Sequence, residues 1–242
     1  MKTKIFCDIA ELDLIKKFNK KKIVKGFTTN PSLMRKAGAR NYTAYSKKIL
    51  NISNKPISFE VFADNEADMI DQALKICNWG KNVYVKVPVV NSKGKFMGKV
   101  IKYLNNRRIK LNITAVYTSE QTRRILKKIN KNTNVIISIF AGRMSDVGKD
   151  PIPEIKKSIE LAKKYKNVKI LWASTREPFN YTQAKMLKCH IITVPPKIIY
   201  QIKKFNKSFK KLTIDTVKAF LLDAKKSNFK IWFFQREKFP TI

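Results

Sequence analysis

Glycine is scarce, at 7 of 242 residues, and its placement excludes two nucleotide-binding classes. Gly94 and Gly98 build neither the GxGxxG turn of a dinucleotide fold nor a GxxxxGKS/T phosphate loop. Histidine occurs once, as His190, which precedes a strand-like run and reads as structural. No cluster has the ligand types or spacing of a metal centre, so no metal is expected. Cys7, Cys77 and Cys189 are odd in number, widely spaced and free of any CxxC pair. They read as the reduced thiols of a cytoplasmic protein. No stretch approaches the ~20 uncharged apolar residues a membrane span requires, which argues against a membrane association. The first residues enter a strand-like run carrying Asp8, so no signal peptide is expected.

Acidic residues are few as well: 17 against 52 lysines and arginines, a formal net charge of +35. Such a charge invites a nucleic-acid reading. Lysine far outnumbers arginine, however, and the lysines are spread over nearly every helical stretch instead of one face. Bidentate phosphate reading would favour arginine. No specific nucleic-acid partner is expected. A general positive field would still speed the capture of small anionic substrates, most at low salt.

The content of the chain is that of a folded protein, with 44% hydrophobic and 29% charged residues. Strand-like runs occur at 4–7, 23–28, 56–61, 83–87, 109–113, 135–139, 168–173 and 191–194. Amphipathic stretches lie between them, at 66–79, 121–129, 155–165 and 181–187 among others. Thr118-Ser119-Glu120-Gln121 matches a capping box. Eight strands alternating with helices predict an α/β fold, a (β/α)8 TIM barrel. An open doubly wound sheet is the alternative, and would normally carry a glycine phosphate loop. One domain over residues 1–242 is expected, the barrel at about 4–200 and a C-terminal helix and tail at about 201–242. That tail holds a helical stretch at 214–226 and an aromatic-basic end at 229–234, expected to pack on the barrel or at a subunit contact.

Lys86 stands inside the apolar run Val83-Tyr84-Val85-Lys86-Val87-Pro88. Burial favours a neutral amine over an ammonium, and a neutral amine attacks carbonyl carbons, which is Schiff-base chemistry. Snorkelling to water, or pairing with a buried carboxylate, is the blander reading. Polar groups recur at the other strand ends, where barrel enzymes keep their chemistry. They are Asp8, Thr28, Thr29, Asn30, Glu60, Asn112, Thr114, Ser138, Arg143, Ser174 and Arg176, with Phe140 beside them. Singly each has a structural explanation: Asp8 as a helix cap, Thr29-Asn30-Pro31-Ser32 as a turn, the arginines as surface charge. Glu60, between Phe59 and Val61, is harder to dismiss, since a buried acid needs a partner. Its removal is expected to relieve an unpaired acid while slowing proton transfer.

Six segments, in order, resemble the transaldolase and fructose-6-phosphate aldolase family. They are Ile5-Phe6-Cys7-Asp8, Gly26-Phe27-Thr28-Thr29-Asn30-Pro31-Ser32, Val85-Lys86-Val87-Pro88, Asn112-Ile113-Thr114-Ala115-Val116-Tyr117, Phe140-Ala141-Gly142-Arg143 and Ala173-Ser174-Thr175-Arg176. The resemblance implies a (β/α)8 barrel and a class I mechanism without metal or cofactor. It also implies that Lys86 forms the Schiff base with a ketose carbonyl, and that Asp8 exchanges protons with substrate hydroxyls. Glu60 and Thr114 would hold a proton-relaying water. Asn30, Asn112 and Ser138 would bind the dihydroxyacetone portion of a sugar phosphate, with Thr28 and Phe140 as further substrate positions. Arg143, Ser174 and Arg176 would take the phosphate.

Glu60 and Phe140 resemble the transferase branch, whereas the branch that releases free dihydroxyacetone typically has Gln and Tyr there. A transaldolase in the cytoplasmic pentose phosphate pathway, assembled as a homo-oligomer, is therefore expected. A dihydroxyacetone-releasing lyase is the first alternative, and a basic nucleic-acid-binding barrel without chemistry the second. Trp172, Ile139 and the segment 89–95 depart from the family pattern. They are expected near the barrel mouth, where they would bear on the choice of sugar.

Overall fold

The structure, a computed structural model, describes residues 2–231. The chain divides into one unit, Met1–Ile202, and a second from Lys203. The first unit opens with β1 (Lys4–Asp8), α1 (Leu12–Asn19), β2 (Val24–Thr28), α2 (Pro31–Lys36), α3 (Tyr42–Ile52) and β3 (Ile57–Glu60). It continues through α4 (Glu66–Cys77), β4 (Val83–Pro88), α5 (Gly98–Asn106), β5 (Leu111–Val116) and α6 (Ser119–Leu126). Then come β6 (Val135–Ile139), α7 (Ala141–Ser145), α8 (Ile152–Ala162), β7 (Val168–Trp172), α9 (Phe179–Met186), β8 (Ile191–Val194) and α10 (Pro196–Ile202). Neighbouring strands are parallel throughout, and β1 pairs with β8, so the sheet closes in sequence order. This is the (β/α)8 barrel the alternating pattern predicts.

Side chains alternate across each strand, which makes two apolar layers. Outward residues such as Ile57, Phe59, Val85, Val87, Ile113 and Trp172 pack under the helices as the large core. Inward residues Phe6, Ile136, Leu171, Ala173 and Ile191 plug the barrel beneath the site, with Tyr84 and Phe140 against them. Gly26 makes room for this plug: a Cβ there would lie 2.5 Å from the Phe6 ring. Helix starts follow local chemistry. The side chains of Asn30, Asn41 and Asn65 each accept a backbone N–H as caps, and Pro31 presets the first turn of α2. The capping box forms at the head of α6, with Thr118 and Gln121 bonded reciprocally.

Two expectations need correction. The fifth strand begins later and runs further than 109–113, spanning Leu111–Val116. Arg108 takes φ 63° after α5, and Ala115 takes φ 56° at an irregularity in the register with β6. Neither turn is marked by glycine, so neither was legible. Trp172 and Ile139 do not face the barrel mouth. Both are fully buried in the outer core beneath the helices, and the inward places beside Trp172 belong to Leu171 and Ala173. The segment after Pro88 folds as a hairpin, with Val90 bridged to Phe96 and Asp64 gripping Ser92.

The second unit contains α11 (Phe209–Lys226), capped by the Ser208 hydroxyl. Lys207 and Asp215 pair at 2.6 Å within it. Of the aromatic-basic end, Phe229 and Ile231 are exposed, and its residues from Trp232 lie outside the described residues.

Candidate active site

Glu60 and Lys86 are direct neighbours across the β3–β4 ladder. Their side chains meet inside the barrel, with Lys86 Nζ 3.0 Å from Glu60 Oε2. Nζ also donates to the Thr29 carbonyl at 2.9 Å. Only 8% of the Lys86 side chain and 19% of the Glu60 side chain reach solvent. The amine is therefore neither snorkelling nor alone, and the buried acid has its partner. The Tyr42 hydroxyl holds this corner by accepting from Glu60 N–H at 2.9 Å and donating to Glu60 O at 3.3 Å. Packing against Phe59, Phe62 and Trp79 buries Tyr42, and that burial raises its phenol above the ordinary range.

A second carboxylate, Asp8, lines the same cavity, whose volume is about 630 Å³. The Thr28 hydroxyl donates to Asp8 Oδ1 at 2.6 Å and lies 2.5 Å from the Thr193 hydroxyl. Burial pushes the Asp8 carboxyl above its usual value, opposed by the Thr28 hydrogen bond and by Lys86, while Glu60 adds to the rise. Asp8 is not a helix cap; Glu11 holds the N-cap position of α1.

Opposite these acids runs a hydroxyl–amide chain. Ser138 Oγ donates to Asn112 Oδ1 at 2.6 Å, and Asn112 Nδ2 donates to Ser58 Oγ at 3.0 Å. Thr114 is different: its hydroxyl is buried, its residue lines the cavity, and it has no hydrogen-bond partner among the described residues. A buried orphan of this kind calls for a ligand or water. Asn30 does both things its sequence context allows, since its Oδ1 caps α2 while the residue lines the cavity. Thr29 donates to the Ser58 carbonyl and turns its own carbonyl toward Lys86.

Phe140, Arg143, Ser174 and Arg176 form the outer end of the cavity. The Arg143 guanidinium lies 5.7 Å from the centre of the Phe140 ring. Ser174 adopts φ 63°, a left-handed backbone that a serine enters at a cost. Its carbonyl sits under Gly142, where a Cβ would come within 1.6 Å of that oxygen. Ser174→Gly is therefore expected to stabilise the fold by about 1 kcal/mol, read as a higher urea midpoint.

Every candidate site residue named at a strand end except Thr29 lines this one cavity. Sequence reasoning missed Ser58, Thr193, Tyr42 and Asp146, the last of which pairs with Arg176. Ser58 stands two residues before Glu60 and Thr193 is polar in an apolar strand, so period-two reading would have found both. Tyr42 on α3 and Asp146 after α7 arrive through tertiary packing and left no local signal. His190 is structural: its Nδ1 accepts from Ile170 N–H at 3.2 Å, and burial lowers it to about 4. Among the described residues, no three His, Cys, Asp or Glu side chains are grouped to hold a metal.

Fold and site together define a (β/α)8-barrel enzyme. The sequence profile described as transaldolase/fructose-6-phosphate aldolase matches residues 5–233. A "probable transaldolase" of Thermoanaerobacter is 33% identical over 94% of this chain and 100% of its own length. Similar proteins of the same description occur in Nitrosopumilus maritimus, at 33% identity over 81% of this chain and 85% of its own, and in Methanococcus maripaludis. The latter is 31% identical over 91% of this chain and 96% of its own. The chain belongs to the transaldolase/fructose-6-phosphate aldolase family. Among solved structures, a mandelate oxidase variant shares the barrel alone, with TM-score 0.53, 10% identity, 79% of this chain and 64% of that one covered.

Proposed function

We propose that the chain is a transaldolase-type transferase that moves a dihydroxyacetone unit between sugar phosphates through a Schiff base on Lys86. The observation that carries this reading is the buried contact of Lys86 with Glu60, 3.0 Å apart in a cavity that Asp8 also lines. Nζ gives a proton to Glu60 and attacks the ketose carbonyl as the free amine. Loss of water from the carbinolamine leaves a protonated imine. Asp8 then takes the proton of the C4 hydroxyl, the C3–C4 bond breaks, and its electron pair passes into the imine to leave an enamine. The aldose departs. An acceptor aldehyde takes its place, the enamine carbon attacks it, and Asp8 returns the proton to the new alkoxide. Hydrolysis of the imine frees the product and Lys86.

The proton carrier is a water between Glu60 and the unpartnered Thr114 hydroxyl, and its place beside both accounts for that orphan. Asn30, Asn112 and Ser138 fix the three-carbon unit, while Arg143, Ser174 and Arg176 receive the phosphate, which a fork of N–H donors suits. Catalysis belongs to the barrel, since each of these groups lies within Met1–Ile202. A cytoplasmic setting, sugar-phosphate metabolism of the pentose phosphate type and a homo-oligomeric state complete the reading. In support, all three cysteines are free thiols, and no described helix is long and apolar enough to cross a membrane.

Transfer, and not simple cleavage, follows from Phe140, whose ring has no proton for the enamine. Phe140→Tyr is expected to raise the release of free dihydroxyacetone relative to transfer by roughly 10²-fold, the size of one well-placed general acid. Product analysis with fructose 6-phosphate, with and without erythrose 4-phosphate, measures both terms. Full-rate release from the parent chain without an acceptor would assign it to the lyases instead.

A further inference from the structure

The proposed phosphate end contains a carboxylate, which is at first sight the wrong charge for an anion site. Arg176 donates from Nε to Asp146 Oδ1 at 2.8 Å and from Nη2 to Asp146 Oδ2 at 2.5 Å. Its Nη1 donates to the Ser174 carbonyl at 3.3 Å. A guanidinium has five N–H groups. Three are committed, so one remains on each of the two terminal nitrogens that make the end edge of the fork. That edge is what Arg176 has left to offer a ligand in the cavity it lines.

The surroundings are built to hold this arrangement. Asp146 directly follows α7, the short helix that also carries Gly142 and Arg143. A Cβ on Gly142 would stand 1.6 Å from the Ser174 oxygen and 3.1 Å from Arg176 Cγ, so only glycine lets α7 lie against both. An acid at a helix C-terminus gains nothing from the helix dipole. The placement of Asp146 therefore answers to Arg176 and not to its own helix. The hydrogen bond from Arg176 holds the Asp146 carboxyl below its usual range, with both arginines adding to the effect.

We propose that Asp146 is a positioning residue for the phosphate end of the cavity, clamping the side edge of Arg176 so that its end edge meets the phosphoryl oxygens of a sugar phosphate. The inference rests on the reading of Arg143, Ser174 and Arg176 given above, and it makes a prediction of unusual sign. As a mere counter-charge, Asp146 would repel phosphate, and its removal would tighten binding. As a clamp, its removal weakens binding.

Inorganic phosphate, titrated into the full chain by calorimetry, decides between them. Asp146→Ala and Asp146→Asn are each expected to raise the phosphate Kd about tenfold, which corresponds to 1.4 kcal/mol. The KM for fructose 6-phosphate should rise by the same factor, and the KM for unphosphorylated fructose should not. A thermal midpoint within a few degrees of the parent would accompany this, because the pair is half-exposed. An unchanged or lowered phosphate Kd in both variants, or no phosphate binding by the parent, overturns the inference. Asp146-dependent phosphate binding by a chain that forms no adduct at Lys86 would keep the clamp and remove the transaldolase reading.

Discussion

Lys86→Met is expected to reduce turnover on the order of 10⁵–10⁶-fold, as the loss of a covalent nucleophile does elsewhere. The same substitution has a structural consequence that separates it from a simple loss of chemistry. It removes the cation 3.0 Å from a largely buried carboxylate. An ion left without its partner in such a place costs about 3 kcal/mol at neutral pH. Urea midpoints of Lys86→Met and the parent at pH 8 measure it. Lys86→Met/Glu60→Gln should recover most of the stability at pH 8 and none of the activity.

Glu60→Gln is expected to slow turnover by about 10²–10⁴-fold, since it removes the carboxylate that takes the proton of Lys86 Nζ and holds the relaying water. Burst and steady-state rates with fructose 6-phosphate separate adduct formation from turnover. Normal steady-state turnover would place the relay elsewhere. Glu60→Ala corrects an expectation drawn from the sequence. Glu60 taken as an unpaired buried acid predicts a gain in stability when it is removed. The pairing with Lys86 reverses that sign, because alanine removes the carboxylate and leaves Lys86 Nζ with the Thr29 carbonyl as its one partner among the described residues. A loss of about 3 kcal/mol is expected instead.

The difference between these two expectations shows what a linear sequence carries. The strands were legible because β-branched runs such as Val83–Pro88 and Val135–Ile139 have no polar face to expose. The site was legible because barrel strands end at one rim, so Asp8, Glu60, Lys86, Thr114 and Ser138 had to converge once the barrel closed. Pairing between neighbours was not legible, because it depends on strand register: Glu60 meets Lys86 through an alignment that neither segment encodes alone. The Trp172 misplacement has a similar origin. Counting back in steps of two from Ser174 points Trp172 inward, but Ser174 lies past the strand end at φ 63° and breaks the alternation. Tyr42 and Asp146 come from helices, where nothing in the local sequence says which strand end they will touch. Asn30 shows the reverse case, in which a turn signal and a site signal fall on one residue and both are realised.

Borohydride trapping tests the central claim most directly. The full chain would be incubated with fructose 6-phosphate, reduced, digested and mapped by mass. A stable increment is expected on the peptide that contains Lys86, and its complete absence in Lys86→Met. An adduct on another lysine, or one that persists in Lys86→Met, would contradict the account.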